Sequence, residues 1–251
     1  MIKRIVITIV TAFLTTDLLA QERYQVLLFT KSESYPWRHD SISEGVQMFK
    51  ELSQFHHFGL TWTADAQVFD DEERLGTMDV VVFLNTSGDE ILTDSQKEGF
   101  QNYMRNGGNF VGIHGASFTL MDWDWYIDML GGVWNHHPGN HTAIVKVEES
   151  GHPSTAHLPV NWLITEEWYN FDRLSENINV LLTVDENTYP GGEMRDFHPI
   201  AWYQDNFEGN SRTFYTLLGH TEEIYSDNYF KQHILGAIWW AATGNTISSS
   251  N

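Results

Sequence analysis

Residues 106–117 read Asn-Gly-Gly-Asn-Phe-Val-Gly-Ile-His-Gly-Ala-Ser, and they predict a glycine turn, a short buried strand and a tight bend. The apolar run 110–113 is typical of a strand buried on both faces. Gly112 and Gly115 flank His114 and remove the Cβ atoms that would crowd a sharp strand-to-helix bend. Such a bend, known as a nucleophile elbow, holds one side chain exposed at the end of a central strand. Here that residue is a histidine.

Outward from this bend, buried strands alternate with helices. Apolar runs predict strands at residues 24–30, 60–63, 79–85 and 213–220. Helices are predicted from Ser41, with a capping box to Glu44, from Thr93 to Arg105, and over 228–242. Residues 142–202 predict further strands joined by long loops, beginning with an edge strand. We therefore predict an α/β, flavodoxin-like fold: a mostly parallel sheet with helices on both faces and an added antiparallel edge.

The composition excludes some classes of partner. The chain has 251 residues, no cysteine, and a formal net charge of −20 from 14 Lys and Arg against 34 Asp and Glu. No basic surface is available to displace counterions from phosphate, which argues against nucleic acid and anionic membranes. The charge leaves neutral or cationic ligands and metal ions, although solubility explains most of the acidic residues. A homodimer is left open.

The first twenty residues have the pattern of a secretory signal peptide. Lys3 and Arg4 precede the mainly apolar run 5–14, and Leu18-Leu19-Ala20 precedes polar residues. We expect cleavage after Ala20, export to a periplasm, no later membrane segment, one domain over 21–246 and a frayed tail over 247–251. An uncleaved anchor or an ordinary first strand is the alternative.

Polar residues collect at the carboxyl ends of the predicted strands, where ligands bind in open parallel sheets. His39 follows the first strand, Asn85 a later one, His114 lies on the elbow, and His220 and Glu222 follow the last strand. Any one such histidine is more often structural, but three at corresponding strand ends predict a shared site.

Other clusters have weaker patterns. Glu166 and Glu167 stand beside aromatic residues, and their spacing alone favours a solvated turn with a packed Trp over a place in the site. His198 precedes a strand, where a core histidine is an even alternative. His136, His137 and His141 lie on one Gly/Pro/Asn-rich loop that we expect to border the cleft, without a role assigned.

Several motifs match a known family in the right order. They are Trp37-Arg38-His39, residues 79–85, residues 106–114, Gly151-His152-Pro153, Glu166-Glu167-Trp168-Tyr169, residues 198–202 and residues 212–221. On these motifs, residues 24 to about 244 resemble the ThuA-like (trehalose-utilisation) family of the class I glutamine-amidotransferase-like superfamily. The family usually has Asp where Glu166 stands, which is a mild departure.

The resemblance implies an amidotransferase-type scaffold without amidotransferase chemistry. Superfamily enzymes carry a cysteine at the elbow and a His and Glu after the last strand, and His114, His220 and Glu222 stand at those positions. Because the chain contains no cysteine, thiolate attack and a glutaminyl thioester are impossible.

For function, the resemblance implies carbohydrate catabolism in a context where dehydrogenases produce 3-keto-glycosides. We expect a lyase or hydrolase of a glycoside or keto-sugar, in which His39, His114, Glu167 and His220 act as acid, base and enediolate stabiliser. The same four residues are the candidate ligands of a divalent metal. Trp37, Tyr169 and Trp202 are expected to stack on the sugar, with Asn85 and His198 also binding it. A non-catalytic carbohydrate-binding protein and a metal-dependent hydrolase of another small substrate remain as alternatives.

Overall fold

The computed structural model describes residues 24–32 and 38–246. The predicted signal peptide, Trp37 and the predicted tail lie outside the described residues. In this part of the chain the strands are β1 (Gln25–Phe29), β2 (Gly59–Thr63), β3 (Val80–Leu84), β4 (Asn109–Ile113), β5 (Val133–His136), β6 (Asn140–Val147), β7 (Asn161–Glu167), β8 (Asn170–Asp172), β9 (Asn179–Val184), β10 (Pro199–Phe207) and β11 (Ser211–Thr216). The α-helices are α1 (Ile42–His56), α2 (Glu72–Leu75), α3 (Asp94–Arg105), α4 (Asp124–Leu130) and α5 (Asn228–Thr243). None of these helices combines the length and hydropathy that a membrane span requires.

One large sheet organises the described residues. Its strand order is β2-β1-β3-β4-β11-β10-β9-β6-β7. The first five strands are parallel neighbours, and β10, β9, β6 and β7 extend the sheet in antiparallel pairs. The predicted α/β fold with an added antiparallel edge is confirmed. The strands β1, β3, β4 and β11 run in one direction. The segments that follow them therefore meet at the carboxyl ends of the parallel strands.

Helices cover both faces of the parallel half. Phe83 and Leu84 are consecutive, so their side chains point to opposite faces of β3, and both are fully buried. The Phe83 ring stacks on Phe100 of α3 at 5.4 Å. Leu84 lies against Gly45 of α1, where a Cβ would come within 2.8 Å of its methyl group. Burial of a large apolar side chain contributes roughly 1.5–3 kcal/mol, so this two-sided core fixes the strands that carry the site.

The cap of α3 agrees with the predicted helix start at Thr93, whereas the cap of α1 differs from the prediction. The capping box at Thr93 forms with Gln96 as its reciprocal partner. At Ser41 the predicted box with Glu44 is wrong, because the serine hydroxyl is used elsewhere. It donates to the Gly219 carbonyl and accepts from Asn85 Nδ2. Ser41 therefore joins the ends of β3 and β11 instead of capping its helix.

Candidate functional site

The bend after β4 places His114 at the carboxyl end of the parallel strands, in a left-handed backbone conformation. His114 has φ of 47° and begins a 3₁₀ turn over His114–Phe118. A Cβ on the next residue, Gly115, would come within 2.7 Å of the Thr86 carbonyl oxygen, so the bend needs glycine there. The chain turns against the end of β3, and the His114 side chain is fully buried.

Hydrogen bonds fix which nitrogen of His114 faces the other site residues. Nδ1 lies 2.6 Å from the carbonyl oxygen of Leu217. Since a carbonyl only accepts, Nδ1 carries the proton and donates it. In the neutral ring, Nε2 therefore has a lone pair, and the Tyr169 hydroxyl lies 2.6 Å from it.

His220 and Glu167 meet His114 from two other elements. His220 Nδ1 lies 3.3 Å from His114 Nε2 and 3.3 Å from Glu167 Oε2. Glu167 Oε2 is 3.6 Å from His114 Nε2. The ring of His39 is 4.7 Å from that of His114 and 5.4 Å from that of His220, edge to face. We call these four residues the histidine–glutamate cluster. The structure brings all four predicted acid–base residues together, with one nitrogen or oxygen of each within 4.8 Å of the others.

The electrostatics of the cluster keep His39 and His220 uncharged. Burial, and then the neighbouring His114 and His220, lower the pKa of His39 to about 2. Burial and His114 lower the pKa of His220 to about 4. Burial alone would raise the pKa of Glu167, but the His114 hydrogen bond and the surrounding histidines outweigh it and lower that pKa to about 2. At neutral pH, the neutral imidazoles of His39 and His220 thus lie beside the ionised carboxylate of Glu167.

Glu166 supports the site from beneath, a role that the sequence did not identify. Its side chain is fully buried, although its spacing in the sequence favoured a solvated turn. Its carboxyl oxygens accept from the backbone N–H groups of Gly219, His220 and Glu167. Burial raises its pKa against these hydrogen bonds. Glu166 therefore sets the turn after β11 that carries His220, and it touches the cleft only through its neighbours.

A cleft of about 460 Å³ opens above the cluster. Its walls include His39, Glu167, Tyr169 and His220, with Trp134, Phe118, His137, Arg38, Asp40, Ser41, Asn140, Thr221, Glu222 and Glu223 around them. The Phe118 and Trp134 rings meet edge to face at 4.7 Å. The cleft thus combines an aromatic wall with an acidic rim.

Three predicted substrate-binding residues lie behind the cleft. Asn85 is buried, and its Nδ2 donates to Ser41 Oγ, the Gly219 carbonyl and Tyr225 OH. His198 is buried against Glu186 and the Tyr169 carbonyl. Trp202 is fully buried and donates to the Leu130 carbonyl, so its expected stacking on a sugar is corrected to core packing. Of the predicted binding residues that are described, Tyr169 lines the cleft.

The other predicted groups separate in space. Glu222 is exposed at the rim, and the carboxylate beside His220 is that of Glu167 instead. On the histidine-rich loop, His137 enters the cleft, where its Nδ1 lies 3.2 Å from Glu167 Oε1. His136 contacts Glu193 instead, and the His141 carbonyl accepts from Trp168 Nε1.

A larger cavity, of about 580 Å³, lies between the end of α1 and α5. Its walls carry His56, His57 and His157 without any carboxylate. Paired acid–base groups are concentrated in the smaller cleft, which is therefore the candidate active site.

Solved structures resemble this chain over most of its length. A ThuA-like protein from Bacteroides uniformis is 25% identical, covers 90% of this chain and 94% of its own, and superposes with a TM-score of 0.75. A ThuA-like protein from Parabacteroides merdae is 22% identical, with coverage of 89% and 91% and a TM-score of 0.70. The glutaminase domain of the CTPS of Trypanosoma brucei, solved with bound acivicin, shares the fold at 10% identity, with coverage of 88% and 94% and a TM-score of 0.55.

Comparison with family profiles assigns the chain to a family, whereas no curated protein matches it. The sequence profile of the ThuA family, trehalose utilisation, matches residues 25–241, which include the whole histidine–glutamate cluster. The fold is that of glutamine-amidotransferase-like proteins, and a histidine stands at the elbow. The chain belongs to the ThuA family.

Proposed function

We propose that this protein is an exported enzyme of carbohydrate catabolism that acts on a glycoside or keto-sugar, as a 3-keto-glycoside lyase or hydrolase. The observation that carries the proposal is the convergence of His39, His114, Glu167 and His220 below one cleft. The family name points to sugar metabolism. The absence of cysteine removes the covalent alternative that the fold otherwise offers.

The reaction that suits these groups is elimination followed by hydration. A ketone at C3 of the sugar acidifies the proton on C2, and a base in the cleft removes it. The C1–O bond then breaks, and its electron pair leaves with the aglycone oxygen, which receives a proton from an acid. Water adds to C1 of the resulting enone while C2 regains a proton. The net result is hydrolysis of the glycosidic bond.

Exposure divides the roles within the cluster. The side chains of His220 and Glu167 are 28% and 13% exposed, so they can touch a bound sugar. When Glu167 accepts the Nδ1 proton of His220, the other nitrogen of that ring is free to act as the base. His114 is fully buried and acts as a positioning residue between Tyr169 and Glu167.

The walls of the cleft suit an uncharged polyol. The apolar edge formed by Trp134 and Phe118 can pack on the CH face of a pyranose ring. Asp40, Glu222 and Glu223 on the rim can accept hydrogen bonds from sugar hydroxyls. An anionic substrate would be repelled by the same acids, so neutral sugars fit best. The proposal includes neither nucleic acid nor a membrane as a partner.

Export is the part of the proposal that rests on sequence pattern alone. The basic start, the apolar run and the cleavage motif of residues 1–20 support secretion across an inner membrane into a periplasm. The intact mass of the protein recovered from a periplasmic fraction tests this. A mature chain that begins at Gln21 is expected, and a full-length chain confined to the cytoplasm would contradict export.

Activity on a sugar panel tests the chemistry. Wild-type protein and Glu167→Gln are compared on glycosides and the corresponding 3-keto-glycosides, with release of the aglycone as the readout. We expect turnover of keto-glycosides by the wild type and a loss of about 100-fold or more in the variant, the size of a general acid–base contribution. Binding of these sugars without turnover would favour the non-catalytic carbohydrate-binding alternative.

A further inference from the structure

We propose that the histidine–glutamate cluster holds one divalent transition-metal ion, with His39, His114, His220 and Glu167 as its ligands. This metal site deepens the proposed function, since it names the group that would stabilise the enediolate. The role of the ion rests on that function, whereas its binding does not. Both can therefore be tested separately.

The spacing of the donor atoms fits a coordination sphere. His114 Nε2, His220 Nδ1 and Glu167 Oε2 form a triangle with sides of 3.3, 3.3 and 3.6 Å. Ligands at 2.0–2.1 Å from a tetrahedral zinc ion lie roughly 3.3 Å from each other. The three atoms thus already stand at the spacing of one tetrahedral face, and His39 approaches from a fourth side.

Hydrogen bonds alone leave this cluster incompletely satisfied. The single lone pair of His114 Nε2 faces the Tyr169 hydroxyl, His220 Nδ1 and Glu167 Oε2 at once. His39 Nδ1 is buried and has no hydrogen-bond partner in the described part of the chain. A proton on His114 would satisfy Nε2 but would still leave His39 unpaired. A cation bound by His114 Nε2 and by His39 Nδ1 would satisfy both nitrogens.

A second shell that suits a metal is in place. His114 Nδ1 donates to the Leu217 carbonyl, which fixes the tautomer and orientation of the ring, as is usual for metal-bound histidine. The Tyr169 hydroxyl contacts both His114 and Glu167, and His137 contacts the second oxygen of Glu167. Three imidazoles and one carboxylate suit zinc, nickel, iron or manganese. They do not suit calcium, which takes oxygen ligands.

The position of the cluster gives the ion a function. Glu167, His39 and His220 line the cleft, so a fifth coordination position, beyond the four protein ligands, would open towards it. There the ion could polarise a ketone oxygen on a bound sugar and stabilise the charge that develops when C2 loses its proton. His220 Nδ1 would then serve as a ligand, and proton transfer would fall to His137 and Tyr169, which contact Glu167 and are not among the four ligands.

Metal binding is tested on full-length protein produced without a polyhistidine tag. The protein is stripped with chelator, titrated with Co²⁺ and with Zn²⁺, and followed by elemental analysis and the visible d–d absorption of Co²⁺. We expect one equivalent per chain. His39→Asn and, separately, Glu167→Gln should weaken Co²⁺ binding by at least about 100-fold, because even outer-shell changes typically cost ~10–100-fold. The double variant His56→Gln/His57→Gln, which removes two exposed histidines that line the separate cavity beside α5, should bind as the wild type does.

The outcomes separate this inference from the proposed function. Keto-glycoside turnover by protein that binds no Co²⁺ or Zn²⁺ would overturn the metal site and leave the acid–base enzyme standing. Stoichiometric binding without action on any sugar would keep the metal site, and would favour a metal-dependent hydrolase of another substrate. Wild-type affinity in His39→Asn, or loss of the ion from the His56/His57 double variant, would also overturn the assignment. Circular dichroism of each variant checks that a weak binder is folded.

Discussion

His114 Nδ1 lies 2.6 Å from the carbonyl oxygen of Leu217, the residue that directly follows β11. This hydrogen bond joins the carboxyl ends of two adjacent parallel strands, β4 and β11. It also determines that the unprotonated nitrogen of a neutral His114 faces Tyr169 and His220. The Leu217 carbonyl, at the end of β11, therefore sets the tautomer of His114, at the end of β4.

Replacing His114 by asparagine is expected to remove activity while keeping the fold. Asparagine tolerates the left-handed conformation that His114 adopts at φ 47°, so the bend should survive. Because the imidazole that positions Tyr169 and Glu167 is lost, we expect kcat/KM on the best keto-glycoside to fall by ~100-fold. The thermal midpoint of unfolding reports on the fold, and a kcat/KM within about threefold of wild type would remove His114 from the mechanism.

The adjacent residues Glu166 and Glu167 should respond in opposite ways to the same substitution. Glu166→Gln places an amide NH₂ against buried backbone N–H groups, so we expect a loss of about 1–3 kcal/mol in the free energy of unfolding. Glu167→Gln removes the carboxylate that faces the cleft and should cost most of the activity. Urea denaturation and kcat of both variants check this, and loss of activity in Glu166→Gln with wild-type activity in Glu167→Gln would contradict the division of roles.

The fold could be predicted because its signals are local. Continuous apolar runs such as residues 79–85 belong to strands buried on both faces, and the alternation with helices restricts the topology. Thr93 and Gln96 form their capping box from side chains three residues apart. Ser41 has the same spacing to Glu44, yet its hydroxyl is taken by Gly219 and Asn85, which are distant in sequence. Local spacing cannot reveal such long-range competition.

The site was predictable where topology decides it and not where packing does. His39, His114 and His220 follow strand ends, and parallel strands bring such ends together. Whether an aromatic or polar side chain faces the cleft depends instead on burial, which placed Trp202 and Asn85 behind it. Trp134 had no distinguishing pattern in the sequence. It reaches the cleft because β5 pairs with β8 outside the main sheet.

Trp134 should contribute to substrate affinity more than to the chemical step. Its ring forms the aromatic wall with Phe118 and contacts no member of the cluster through a hydrogen bond that the structure describes. Loss of about 1.4 kcal/mol of stacking in Trp134→Ala corresponds to a tenfold increase in KM, with kcat largely retained. Trp62→Ala, which removes an exposed indole from the edge strand β2, is the matched control. A fall in kcat at unchanged KM would assign Trp134 to the reaction instead.

Stability should fall in mild acid because of His233, a fully buried histidine of α5. Its Nδ1 donates to the Ser154 carbonyl and its Nε2 accepts from Thr216, so the ring is neutral in the folded protein. Burial lowers its pKa from 6.5 to about 4, and the titratable groups near it are His152 and His157. Between these pKa values the unfolded chain binds the proton and the folded chain does not. The contribution of the neutral His233 to the free energy of unfolding is therefore complete above pH 6.5 and is lost as the pH falls towards 4.

At about pH 5 the loss of stability from His233 is about 2 kcal/mol. Urea midpoints measured at about pH 7.5 and about pH 5 should therefore converge in His233→Gln relative to the wild type, and an unchanged difference between the two midpoints would show that His233 is not the group responsible.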